Sequence, residues 1–269
     1  GVPKTIDNDL ILTDHSPGYG SAARFEAIMA TEAVMDSRAL NKVEVIKILE
    51  TMGRNTGWVT AATALAEENA PDLIYLPERT FNPEKFLADV KSVYKDRGHV
   101  IIAACEGLKD PQGRYVAAFE VEMNIDAFGH PELGGLGQYL VDLVVENLGL
   151  KTRLDKPGTA QRVAGLYISP VDAEEAYLVG ARAVEHAVEG ATDYVVTLIR
   201  EPGPEYRCTT GLALLEDVAG AEKFMPDEFI NEEGNFVTEA FKAYARPLLG
   251  GPLPDYVKLE GFPVEKRLR

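Results

Sequence analysis

The chain has 269 residues, 46% of them apolar and 26% charged, and it carries a formal net charge of −16. That composition suits one large or two modest packed cores, and its acidic balance argues against a nucleic-acid surface or an anionic membrane as partner. Cys105 and Cys208 are too few for a disulfide framework and have no Cys or His at metal-ligand spacing, and no apolar run reaches the roughly 18 residues of a membrane span. A cytoplasmic protein is the expectation, and any anionic ligand must be caught by local Arg and Lys against a repulsive average field.

In chain order, the opening Gly1-Val2-Pro3-Lys4-Thr5-Ile6-Asp7-Asn8-Asp9 reads as a strand emptying into a loop, because Pro3 holds its own φ and biases Val2 towards extended backbone. Pro17-Gly18-Tyr19-Gly20-Ser21 is a turn with Ser21 as N-cap, feeding a helix over 22–36. Strands are expected at 43–49, 73–76, 100–104 and 194–199, and further helices at 57–68, 83–95, 137–147, 172–189 and 237–245. The alternation indicates α/β layers around a largely parallel sheet.

Cys105 ends an apolar run and reads as a core residue. Gly134-Gly135-Leu136-Gly137 is either a tight loop feeding the helix at 137 or a phosphate cradle at its N-terminus. In the helix at 172–189, Ala176, Val179, Ala183 and Ala187 keep helical spacing, and Asp172, Glu174 and Glu175 crowd a first turn expected to be solvated. Gly180 inside it costs about 1 kcal/mol against Ala. The Pro and Gly cluster at 247–254 closes the packed fold ahead of a solvated basic tail ending Lys266-Arg267-Leu268-Arg269.

The chemistry concentrates at the start. Asp7 and Asp9 stand two apart, so extended backbone points both to one side, where like charges raise one pKa. Such a pair can serve as a general base or hold a divalent cation; Asp-Asn-Asp is equally ordinary turn chemistry.

Pro3-Lys4-Thr5-Ile6-Asp7-Asn8-Asp9 resembles a signature segment of the phosphofructokinase family. The likeness continues in order with Met52-Gly53-Arg54, with Glu106 after the run at 100–105, and with Gly158-Thr159-Ala160-Gln161-Arg162; the stretch from Phe229 to Asn235 is similar to the pyrophosphate-using branch. The resemblance covers nearly the whole chain. It implies two three-layer α/β domains with largely parallel sheets, 1–18 with 161–215 forming the remainder of a larger donor-binding domain, and 19–160 with 216–269 binding fructose 6-phosphate. Family members begin with a Gly-rich donor loop that this chain lacks, so the expectation is a chain truncated at its N-terminus, inactive by itself and prone to associate.

The same resemblance implies phosphoryl transfer to the 1-hydroxyl of fructose 6-phosphate with Mg²⁺. Asp7 would be the base, Thr5 would contact the transferring group, and Lys4 would stabilise pyrophosphate, an ATP-using relative being the alternative together with a non-catalytic sugar-phosphate-binding subunit. Ile6, Met52, Gly53, Arg54, Glu106, Thr159 and Arg162 would line the sugar site, Arg153 would act between subunits of a homo-oligomer, and Asp9 would support the metal or orient Asp7. Two positions depart from the pattern: Val45 stands where many relatives have an inter-subunit Arg, and Thr159 where a His or Tyr is usual.

Overall fold

The computed structural model describes residues 1–40, 43–116, 135–257 and 264–265. Four strands, β1 (Ile46–Thr51), β2 (Leu73–Tyr75), β3 (Val100–Cys105) and β4 (Thr152–Asp155), form one sheet in the order β2-β3-β1-β4, every neighbouring pair parallel. Register runs from Ile46 opposite Val100 to Thr51 opposite Cys105, with Ile46 also opposite Thr152. All six residues of β1 and of β3 are buried, as befits strands covered on both faces.

Alternation along the strands sorts the side chains into two cores. Ile46, Ile48, Leu73, Tyr75, Val100 and Ile102 face a layer containing Phe86 and Val90 of α3 (Pro83–Arg97) and Leu140 and Val144 of α4 (Leu136–Leu148). Leu49, Ile74 and Ala103 face the opposite layer, built from α1 (Tyr19–Leu40), α2 (Trp58–Ala61), the 3₁₀ stretch Ala62–Asn69 and α8 (Glu239–Ala245). Alanines at 23, 27, 30, 61, 62 and 64 let these helices pack closely. Asn82 caps α3 by accepting from Lys85 N at 2.9 Å, Pro83 occupies its first turn, and Gly98 closes it at φ 75°.

A second unit holds α6 (Pro170–Val188), β5 (Tyr194–Arg200) and β6 (Cys208–Leu214), the two strands being antiparallel. Residues 1–18 dock against it: Val196 N donates to Gly1 O (3.1 Å) and Asp14 N to Leu198 O (2.8 Å), while within the segment itself Thr5 bridges Gly18 in parallel. Between the units run α5 (Ala160–Val163), and after β6 the short α7 (Leu215–Val218) leads back to the first.

Several expectations shift for identifiable reasons. The strand expected at 43–49 is Ile46–Thr51, because the polar Lys47 and Glu50 are satisfied inside the fold: Lys47 lies between Asp36 and Asp155, and Glu50 accepts from Gly137 N (2.8 Å) and Lys156 Nζ (2.6 Å). Strand β4 was invisible to apolar patterning since Thr152-Arg153-Leu154-Asp155 is an edge strand. The helix expected from 237 starts at Glu239, because Val237 pairs with Ile230. Ser21 is not the N-cap of α1, which begins at Tyr19; its hydroxyl instead donates to Asp172. The first turn of α6 is likewise not a solvated one. Asp172 accepts from Gly18 N (2.7 Å) and Ser21 N (3.0 Å) and so serves the α1 N-terminus from another helix, while Glu175 is buried on His15. Glu174 is the exposed member of the three. Gly134 and the tail Lys266–Arg269 lie outside the described residues.

Candidate active site

A parallel sheet opens at the carboxyl ends of its strands, where loops gather side chains. β1 and β3 empty here into Met52–Gly57 and Glu106–Gly107. The two loops lie directly on one another, which only glycine permits: a Cβ on Gly107 would fall 2.0 Å from Arg54 O, and one on Gly53, at φ 147°, 2.6 Å from Cys105 Sγ. Cys105, fully buried as its apolar context indicated, donates its thiol to Gly53 O at 2.9 Å, and Gly53 N donates to the Glu106 carboxylate at 3.3 Å. Gln161 completes the join. Its buried amide accepts from Met52 N at 2.9 Å and donates to Gly158 O at 3.0 Å, tying the Met52–Arg54 segment to the turn that carries Thr159 and Arg162.

The loop from Thr5 to Asp9 crosses this mouth. Asp7 N donates to Thr5 Oγ1 (3.1 Å), Thr5 Oγ1 donates back to Asp7 Oδ2 (3.4 Å), and Thr56 Oγ1 donates to Asp7 O (3.3 Å). The Asp7-Asn8-Asp9 stretch is therefore no solvated turn. Burial raises the Asp7 pKa above the usual carboxylate range, opposed by the Thr5 hydrogen bond and by the positive charges of Arg54, Lys4 and Arg162. Asp9 is raised by burial and then by the charge of Asp7, and Glu106 is raised chiefly by burial. Lys4, Ile6, Gln161 and Arg162 share a cleft of about 520 Å³.

The structure thus brings together Lys4, Thr5, Ile6, Asp7, Asp9, Met52, Gly53, Arg54, Glu106 and Arg162, segments more than 150 positions apart in the chain. Thr159 is exposed on the adjoining turn. Arg153 is elsewhere: it pairs with Glu44 in a separate cleft of about 600 Å³. Val45 packs against the core beneath the sheet, its carbonyl accepting from Val100 N. The Gly135-Leu136-Gly137 turn is the tight loop rather than the phosphate cradle, since Glu50 already occupies Gly137 N and a Cβ on Gly137 would meet Leu154 at 2.3 Å. Among the described residues no three His, Cys, Asp or Glu side chains gather into a metal cage. Nor is any described helix long and apolar enough to cross a membrane.

Sequence reasoning missed several neighbours. Asn55 accepts from Tyr115 OH (2.8 Å) and Lys109 Nζ (3.2 Å) and donates to Glu222 (2.6 Å), bracing the position beside Arg54. Asn8, fully buried at φ 53°, and Lys223, whose pKa burial lowers to about 8, anchor the loop from the other side. Asn8 lies within the string from Pro3 to Asp9 without having been singled out, and no local pattern signals the others, because each owes its place to contacts made by distant segments.

A carboxylate ringed by three cations at the mouth of a parallel sheet defines a protein built to handle an anionic ligand. The phosphofructokinase pattern matches residues 1–187, and the chain belongs to that family. It is 38% identical to the pyrophosphate--fructose 6-phosphate 1-phosphotransferase of Methylococcus capsulatus, over 99% of this chain and 66% of that protein. With the enzyme of the same name from Rhodospirillum rubrum it shares 42% over 99% of this chain and 67% of that one. The crystal structure of pyrophosphate-dependent phosphofructokinase from Marinobacter aquaeolei superposes with a TM-score of 0.81 at 35% identity, covering all of this chain and 66% of that one. The chain thus spans about two thirds of the length of these relatives.

Proposed function

We propose that the chain is the sugar-binding and base-bearing part of a pyrophosphate-dependent 6-phosphofructokinase. In this reading Asp7 takes the proton of the fructose 6-phosphate 1-hydroxyl, the freed oxygen forms a bond to one phosphorus of pyrophosphate, and the bridging P–O bond breaks to release phosphate. The products are fructose 1,6-bisphosphate and phosphate. The observation that carries it is the setting of Asp7: a part-buried carboxylate with raised proton affinity, aligned by Thr5 and faced by Lys4, Arg54 and Arg162. Such a base acts by contact, and the cations offset charge spreading over the transferred group.

Lys4 supports pyrophosphate over ATP, since its exposed ammonium lies in the same cleft as Arg162, beside Asp7, and suits a short, highly charged donor. Arg54 and Arg162 are the bidentate anchors and Glu106 the acceptor for sugar hydroxyls. Mg²⁺ fits as the partner of pyrophosphate rather than as a resident ion: Mg²⁺ is commonly held by one or two carboxylates plus substrate phosphates, and with Asp7 engaged as the base, Asp9 is the neighbouring carboxylate that would support it. Bound there it would neutralise donor charge. The domain division at 18, 160 and 215, a homo-oligomer in which Arg153 reaches a neighbouring subunit, and a cytoplasmic setting complete the proposal.

The test is phosphorylation of fructose 6-phosphate by the polypeptide expressed from its whole coding sequence, with pyrophosphate and ATP in parallel. Turnover with pyrophosphate, reduced about 10³-fold in Asp7→Asn at unchanged fructose 6-phosphate affinity, is the expected result. Turnover with ATP alone overturns the donor assignment, and an undiminished Asp7→Asn enzyme overturns the role of Asp7.

A further inference from the structure

The loop from Asn8 to Asp14 presents a physical problem. Asp7 stands immediately before it and Asp9 within it, yet it contains two non-glycine residues in the left-handed region, Asn8 at φ 53° and Leu12 at φ 62°. Backbone of that kind persists only where its surroundings over-determine it. Apolar burial does not supply the constraint: Leu12 is 56% exposed, and Leu10 and Ile11 are only half-buried. Something else must hold the loop down.

Lys223, 209 to 215 positions downstream, meets it from the segment after α7. Its ammonium donates to Asp14 O (2.8 Å), Thr13 O (3.2 Å) and Asn8 Oδ1 (3.3 Å), so its three protons meet one acceptor at the loop's entry and two at its exit. Its backbone does the same work, with Lys223 N donating to Asp9 O (2.7 Å) and Lys223 O accepting from Trp58 Nε1 (2.9 Å). The ammonium also lies 5.3 Å from the Trp58 ring centroid. Tyr244 closes the other flank, donating to Asp14 O (2.7 Å) and accepting from Asn8 Nδ2 (3.0 Å), while Ser16 N donates to Asn8 Oδ1 (3.0 Å). Among the described residues Lys223 has no carboxylate at ion-pair distance; its charge meets carbonyl oxygens instead, of which Asp14 O and Asn8 Oδ1 have a second donor in Tyr244 and Ser16, while Thr13 O has Lys223 as its one described donor.

We propose that Lys223 is a positioning residue for Asp7: its ammonium draws the two ends of the Asn8–Asp14 loop together, and so fixes the base that immediately precedes the loop. This rests on the phosphoryl-transfer reading given above. It also separates two properties that a general structural role would move together. Arg54 and Arg162 belong to other elements, joined through Gln161, so loosening the loop displaces the base and leaves the sugar anchors in place.

The experiment compares the polypeptide from the whole coding sequence with its Lys223→Met variant, which keeps the stem and removes the charge. Hydrogen exchange at the amides of Asp7, Asp14 and Ser16 is expected to quicken at least about tenfold, while peptides from Ile46–Thr51 keep their protection. In turnover, kcat should fall about 100-fold with KM for fructose 6-phosphate within about threefold, because a misplacement of about 1 Å costs on that order. Unchanged loop exchange overturns the proposal, as does parallel loss of loop protection, sheet protection and substrate affinity. Should Lys223→Met not fold, Tyr244→Phe removes the second donor to Asp14 O and leaves the ammonium; a two- to fivefold quickening confined to the loop upholds the clamp, and none refutes it. A wild-type polypeptide without turnover refutes the phosphoryl-transfer reading, and the exchange comparison still decides whether the clamp exists.

Discussion

The two units of this molecule are held together by different physics. The four-stranded parallel sheet lies between two apolar layers, and β1 and β3 are buried along their whole length. Among the described residues the unit of α6, β5 and β6 has a small apolar cluster of Val179, Val196 and Leu198, with Ala183 and Cys208 packed against it, and leaves Tyr177, Val184, Val188 and Ile199 exposed. Its cohesion comes instead from a polar cluster. His15, 1% exposed, bonds Asp14 through Nδ1 (2.8 Å) and Glu175 through Nε2 (2.6 Å), while Tyr206 donates to Glu175 and Arg200 pairs with Asp14 and stacks on Tyr206 and Tyr244. The lesson is about the site. The proposed sugar contacts Arg54 and Glu106 follow strands of the sheet, whereas the candidate base grows from a segment docked on the polar unit, so the geometry between them depends on cross-ties rather than on a shared core.

The sharpest way to break the comparison is to cut each region's own support. Phe86→Ala, in the core beneath the sheet, should cost about 4 kcal/mol, read as a lowered denaturation midpoint. His15→Gln should cost about 3 kcal/mol, because it takes the cationic partner from two poorly solvated carboxylates and leaves them only Arg200 and Tyr206 among the partners named, and its effect should vary with pH. The two carboxylates raise the His15 pKa despite burial, so its contribution is complete below its unfolded pKa and is lost as pH rises through the folded one. Asp14 runs the other way: hydrogen bonding and charge from His15 and Arg200 lower its pKa against burial, so its contribution disappears as pH falls through that depressed value. Wild-type stability minus that of His15→Gln should therefore shrink towards alkaline pH; a flat difference would mean that the ring serves by shape alone.

Glu26 on α1 gives a smaller effect. It is buried with Oε1 unpartnered, and burial raises its pKa to about 8. Its favourable contribution is complete below the usual carboxylate pKa and is lost as pH rises towards 8. Glu26→Gln should accordingly stabilise the chain by about 2 kcal/mol at pH 8 and hardly at all at pH 5, in thermal melts at the two pH values. Smallest is Asp172→Ala, which removes the remote cap of α1 and should cost about 1 kcal/mol.

Much of the fold was legible from spacing. Helices and buried strands with clean periodicity fell within a few residues of expectation, the helix expected at 83–95 being α3 (Pro83–Arg97). Elements whose polar residues are satisfied at long range were not legible: Lys47 and Glu50 inside β1, the edge strand β4, and the acidic first turn of α6, whose Asp172 and Glu175 looked like surface charge. At the site, the short motifs pointed to Asp7, Arg54, Glu106 and Arg162, and the structure gathers them at one mouth. Arg153 it sets apart, and Asn55, Lys109, Tyr115 and Lys223 had no signal at all.

What the sequence determined by itself is local: which stretches are helical or extended, and which short strings carry carboxylates and cations suited to phosphate chemistry. Only the tertiary structure decided that Asp7 is a part-buried carboxylate and not a solvated turn residue, that Glu50 fills the helix end a phosphate could have used, and that Lys223 serves a loop more than two hundred residues away. The reason is physical. Propensity and periodicity act over a turn or a strand, whereas desolvation, charge coupling and the pairing of buried polar atoms depend on which distant segments the packed core brings within a few ångströms.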